Sequence, residues 1–103
     1  MWLCDACNTR TLDTVLSVAV EPSLDSDEAR AQIMKCTTCG AGAVVVYEES
    51  RRGRLDSESW RHTGWFVDDA VITRVTERLQ RPPRPSSEEI AAHARLGRWF
   101  DVR

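Results

Sequence analysis

Two cysteine pairs constrain this chain more than anything else in it: Cys4-Asp5-Ala6-Cys7 and Cys36-Thr37-Thr38-Cys39, which hold all four of its cysteines. A C-x-x-C turn brings both Cβ atoms to one side, so a single turn delivers two sulfurs to one point. Two such turns at opposite ends of a hairpin complete a tetrahedral thiolate set. The residue after each second cysteine has to open the backbone so that amides point at the sulfurs. Glycine does this without steric cost and asparagine is the next most tolerant residue. Gly40 follows Cys39 and Asn8 follows Cys7, so both turns carry the geometry as well as the ligands. Cys4, Cys7, Cys36 and Cys39 are therefore the candidate metal ligands. Redox pairs, disulfides or free thiols are the competing chemistry. A thioredoxin-type motif needs a βαβ context, and the sequence reads with no strand before Cys4. Four thiolates around one ion leave no position for water, so no catalysis is expected at this metal.

A chain of 103 residues buries roughly two thirds of its unfolded surface, which makes a core but a thin one. Chains of this size gain from a staple, and structural zinc supplies on the order of 10 kcal/mol in small domains. Composition, at 42% hydrophobic and 29% charged, is that of a globular protein. The longest apolar run, Ala43 to Tyr47, is too short to span a membrane, and no basic stretch followed by an apolar one is seen near the start, so a secretory signal is not expected. A cytoplasmic location without membrane contact is the expectation. Residues 1–50 carry three positive and eight negative charges, whereas residues 51–103 carry eleven arginines against eight acids. An acidic whole disfavours strong non-specific nucleic-acid binding, and the basic second half leaves a local patch open.

Alternating apolar residues predict a strand from Arg10 to Val20, with Leu12, Leu16, Val18 and Val20 on one face. Asp25 with Glu28 matches a short helical cap, Gln32 to Lys35 leads into the second cysteine pair, and Val44 to Glu49 is a β-branched strand. A further strand is expected from Glu58 to Phe66, with Trp60, His62, Gly64 and Phe66 on one face. Asp68 and Asp69 then cap a helix towards Gln80 that packs Ile72, Val75 and Leu79. Pro82, Pro83 and Pro85 cannot continue it. Ser86 with Glu89 restarts a helix whose apolar stripe is Ala92, His93, Leu96, Trp99 and Phe100.

With these elements in place, residues 1 to about 50 resemble a Cys4 zinc ribbon, with Cys4, Cys7, Cys36 and Cys39 on the ligand positions. The resemblance implies one structural zinc clamped between two knuckles on a small antiparallel sheet. The interval of 28 residues between Cys7 and Cys36 is also similar to that in rubredoxin, where four thiolates hold iron and carry electrons. The knuckles here read Asp-Ala and Thr-Thr, without rubredoxin's proline and aromatic cage. The expected fold class is thus α+β: a zinc-ribbon-like unit over residues 1–54, then a strand and two helices over residues 55–103 that pack on it as a single domain.

The remaining chemistry points to binding. His62 and His93 stand alone, without a companion acid at motif spacing, and read as core or surface histidines. Four tryptophans are many for this length, and tryptophan brings large contact area at little entropic cost. Arg51, Arg52 and Arg54 flank a presumed hairpin tip together with Arg61, and Arg74, Arg78 and Arg81 recur at near-helical spacing. Candidate partner-binding residues are Arg51, Arg52, Arg54, Arg61, Trp65 and Trp99. The expected function is a non-enzymatic, zinc-stabilised interaction module, with a protein as the first choice of partner and an accessory, regulatory or antitoxin- or immunity-like role. The alternatives are a nucleic-acid-binding zinc ribbon and an iron electron carrier.

Overall fold

The computed structural model describes residues 1–23, 26–50, 59–100 and 102. The cap at Asp25 and the arginines at 51, 52 and 54 lie outside them. Six strands form one antiparallel sheet in chain order: β1 (Trp2–Cys4), β2 (Thr9–Val20), β3 (Glu28–Cys36), β4 (Gly42–Ser50), β5 (Ser59–Val67) and β6 (Arg98–Phe100). Two helices, α1 (Asp69–Leu79) and α2 (Ser87–Ala94), form the connection from β5 to β6. The architecture is a small α+β fold.

One face of the sheet meets the helices. Val20, Ala29, Ala31, Ile33, Val44 and Val46 share a buried cluster there with Val75 and Leu79 of α1 and Ile90 and Ala94 of α2. The opposite face gathers Cys4, Leu12, Met34, Cys36, Ala43, Val45 and Phe100. A flat sheet would hold β1 and β5 about 19 Å apart, yet the Trp2 and His62 rings lie 5.2 Å apart. Arg98 of β6 also donates to Asp5, beside β1, at 2.9 Å. The sheet is therefore curled into a half-barrel, and the second cluster fills its inside.

The expectation that Leu12 shares a face with Leu16, Val18 and Val20 is corrected by a bulge. Thr14 pairs with Met34 but Leu16 with Ile33, so Val15 is an extra residue in β2. A bulge of this kind shifts the alternation by one. Leu12 consequently turns inside the curl with Met34, whereas Leu16 and Val18 turn towards the helices.

Asp68 and Ser86 cap the two helices as expected, whereas Asp69 is the first residue of α1 and not part of its cap. The Asp68 carboxylate accepts from the Val71 amide at 3.0 Å and the Ser86 hydroxyl from the Glu89 amide at 3.1 Å. The proline connector separates α1 from α2, and Arg78 holds it by donating to the carbonyls of Arg81 and Pro83 while pairing with Glu89. Arg78 is thus a structural residue, not part of a basic stripe.

The predicted stripe at the C-terminus is overturned. The second helix stops at Ala94, and residues 98–100 pair with Gly64, Trp65 and Phe66 of β5. A Cβ on Gly97 would stand 2.3 Å from the Phe66 carbonyl oxygen, a close approach only glycine permits. Beyond that corner the period becomes two, which sends Trp99 and Phe100 to opposite faces. Phe100 is 3% exposed inside the curl, while Trp99 and Leu96 are 59% and 93% exposed.

At the far end of β4, Glu48 is buried on the helix side. Its carboxylate accepts from Ser87 at 2.8 Å, from Ser26 at 3.1 Å and from Arg61 at 2.6 Å. Burial alone would push its pKa up, but Ser87, Arg61 and Ser26 together hold it below the usual carboxylate value. A depressed folded-state pKa contributes stability above the unfolded-state value and loses it as pH falls through the folded one. Glu48→Gln is therefore expected to cost about 1–3 kcal/mol at neutral pH. Its melting-temperature deficit relative to wild type should shrink as pH drops below about 4. Melting curves of both proteins between neutral and acid pH check this.

Candidate metal centre

The cysteine pairs sit at one end of the curled sheet. The first forms the turn from β1 to β2 and the second the turn from β3 to β4. The interval between them is the β2–β3 hairpin, whose two chain ends lie side by side with Leu12 opposite Cys36. In the first turn the Asn8 amide donates to the Cys4 carbonyl at 2.7 Å, and in the second the Gly40 amide donates to the Cys36 carbonyl at 3.1 Å. Asn8 has φ 58° and Gly40 φ 75°, the left-handed conformations that the two positions require. Gly40→Ala is expected to cost about 1 kcal/mol, lowering the melting temperature by roughly 4–8 °C for a chain of this size. Asn8→Gly should leave it unchanged or slightly raised. Thermal melts of the two variants check the pair.

The four sulfurs converge. Cys4 Sγ lies 3.8 Å from Cys39 Sγ and Cys7 Sγ 3.6 Å from Cys36 Sγ, and all four fall within 4.8 Å of one another. Metal–sulfur bonds of about 2.3 Å in a tetrahedron give sulfur–sulfur edges of about 3.8 Å, whereas a disulfide needs about 2.05 Å. All four cysteines are free thiols, and their spacing fits an ion at their centre. Cys4 and Cys36 are buried, Cys7 is half-buried and Cys39 is exposed.

Hydrogen bonds prepare these sulfurs for negative charge. The Thr9 hydroxyl lies 3.0 Å from Cys7 Sγ, the Thr11 hydroxyl 3.0 Å from Cys36 Sγ, and the two hydroxyls are 2.7 Å apart. The amides of Thr38 and Cys39 also donate to Cys36 Sγ, at 3.4 and 3.3 Å. Thr11 and these amides pull the Cys36 thiol down to about 5, and Thr9 draws Cys7 below its usual value. Burial pushes Cys4 up. The Ala41 amide draws Cys39 down, but Cys36, burial and the other two sulfurs outweigh it and raise Cys39 to about 11. A dication at the centre would offset the repulsion among four thiolates held this close together. The donor set thus suits a metal ion. Thr9 and Thr11 went unnoticed in the sequence, although threonines at period two beside a knuckle are its visible sign.

The other described candidates lie outside the cysteine cluster. Arg61 lies on β5, paired with Glu48, its side chain still 71% exposed. Trp65 is half-buried on the helix side, and Trp99 is its partner across the β5–β6 ladder. His62 packs against the rings of Trp2 and Tyr47, and burial lowers its pKa. His93 faces Glu89 at 3.9 Å. No helix among the described residues is long and apolar enough to cross a membrane.

Fold and centre together define the class: a curled antiparallel sheet closed at one end by a four-cysteine cluster able to hold a metal ion. A scan against family models and searches of curated proteins and of solved structures found no match to this chain.

Proposed function

We propose that the chain is a zinc-stabilised, non-enzymatic module that acts by binding another protein. The observation that carries this is the sulfur tetrahedron itself. Cys4, Cys7, Cys36 and Cys39 would supply all four ligands of one zinc, whose chemistry there is to neutralise the thiolates and to clamp the two turns. A fully thiolate-ligated ion offers no position to a substrate, which favours a structural role. The cluster continues directly into the inner core, where Cys4 and Cys36 lie among Leu12, Met34, Val45 and Phe100. Support for a binding role comes from Trp99 and Trp60, 59% and 64% exposed, since large exposed aromatics favour interaction surfaces.

Native purification from the source cells, followed by mass spectrometry of the intact assembly, tests both halves of the reading. One zinc per chain and a stoichiometric protein partner are expected. A metal-free chain contradicts the first half. A chain that purifies alone and shifts generic DNA in a salt-dependent way contradicts the second.

A further inference from the structure

Arg61 and Trp65 line a single groove on the helix side of the sheet. It runs between β5 and α2 and has a volume of about 230 Å³. Val46, Thr63 and Trp65 contribute its sheet wall, and Ala91 and Arg95 its helix wall. Glu48 closes one end, where the Ser87 hydroxyl and the Arg61 guanidinium meet on its carboxylate. Since Ser87 and Arg61 share that end, Arg95, the C-cap of α2, lies towards the other end with Trp65. The length agrees on both walls. Ser87 to Arg95 spans about 12 Å of helix, and Arg61 to Trp65 about 13 Å of strand. That accommodates about four residues of an extended chain.

Charge selects what such a segment carries. Glu48 is already neutralised by Arg61, and at the same end Glu88 lines the groove beside that pair. On the walls of the same groove stand Arg95, an exposed residue of the helix wall, and Trp65, half-buried on the sheet wall. Trp99, directly opposite Trp65 in the ladder, points to the same side and extends the aromatic surface beyond the groove. An arginine beside apolar surface favours a carboxylate attached to a large apolar neighbour, because the planar guanidinium pairs with carboxylates while the rings exclude water.

We propose that this groove binds a short extended segment of the partner protein, one that carries an Asp or Glu close to a large apolar residue. The carboxylate meets Arg95, and the apolar side chain lies on Trp65 and Trp99. This rests on the reading of the chain as a protein-binding module and names the chemistry of its partner.

The test uses a random twelve-residue peptide library, selected on the full chain. Binding of the enriched peptides is then measured by fluorescence anisotropy. Enriched peptides should carry an acidic residue within three positions of Leu, Ile, Phe or Trp. Arg95→Glu should weaken them at least tenfold and Trp99→Ser several-fold. Arg95→Lys, which keeps the charge but loses the planar fork, should weaken them, though less than Arg95→Glu does. Thr73→Glu, on the exposed side of α1, should change nothing. Each variant's melting curve shows that it is folded. Failure to enrich any peptide, enrichment of peptides lacking a carboxylate, or equal binding by Arg95→Glu overturns the proposal. If a partner protein still co-purifies in that case, only the groove assignment falls; if none does, the module reading falls with it.

Discussion

The Cys36→Ser protein is expected to lose its metal and its cooperative thermal transition together. Cys36 ends β3, is 4% exposed and belongs to the inner core. Its sulfur is heavily supported, with the Thr11 hydroxyl 3.0 Å away and the amides of Thr38 and Cys39 donating to it. A serine hydroxyl is shorter, stays protonated and binds zinc poorly, so three ligands remain where four are needed. Without the ion, Cys4, Cys7 and Cys39 are left crowded at the end of a half-barrel whose core is thin. Small domains built on structural zinc fold only as metal is bound. Treating the wild-type protein with a strong zinc chelator should produce the same unfolded baseline as the mutant. Thr37→Ser, one residue along and exposed, should melt like wild type. Circular dichroism melts of the three samples with matched metal analysis check this. A Cys36→Ser protein that melts cooperatively at the wild-type temperature would show that the cluster is not the staple.

The second large effect separates two adjacent aromatics. Phe100→Ala is expected to cost about 3–5 kcal/mol, lowering the melting temperature by more than about 12 °C. Trp99→Ala should stay within about 0.5–1 kcal/mol. Phe100 is 3% exposed, its ring 4.3 Å from that of Phe66 and lying over the Gly64 backbone. Truncating it leaves a cavity inside the curl, which a rigid sheet cannot close. Trp99 stands on the other side of the same strand and is 59% exposed. Had both residues lain on one helical stripe, the two costs would be alike. Thermal unfolding of the two single variants decides between a strand and a helix at this terminus, and equal losses would contradict the strand.

This contrast marks where the sequence was legible and where it was not. The cysteine quartet, the left-handed positions at Asn8 and Gly40, strands β2, β4 and β5 and both helix caps were readable, whereas of β3 only Gln32 to Lys35 was marked, as the lead into the second cysteine pair. Each readable feature is encoded by a local rule: ligand spacing, backbone tolerance, alternation or side-chain capping. Strands β1 and β6 were not readable, because three residues cannot display a period. In β6 the spacing of Leu96, Trp99 and Phe100 imitated a helix until Gly97 turned the chain. The face of Leu12 was misread for a different reason: the bulge at Val15 is set by pairing with β3 and leaves no mark on β2 alone. Glu48 looked like the polar end of a strand. Its partners Ser26, Arg61 and Ser87 come from three distant parts of the chain, so only the tertiary fold reveals that it is buried and satisfied. The groove was visible only as separate residues, Arg61 and Trp65, that β5 presents on one side.

The central claim is that four thiolates hold one zinc at the end of the half-barrel. Native mass spectrometry of the purified full chain tests it most directly. The account predicts the mass of the folded chain plus a single zinc, with the ion lost when any of Cys4, Cys7, Cys36 or Cys39 is replaced by serine. A metal-free chain lighter by two or four hydrogens, carrying disulfides instead, would contradict it, as would a coloured chain whose extra mass is that of iron.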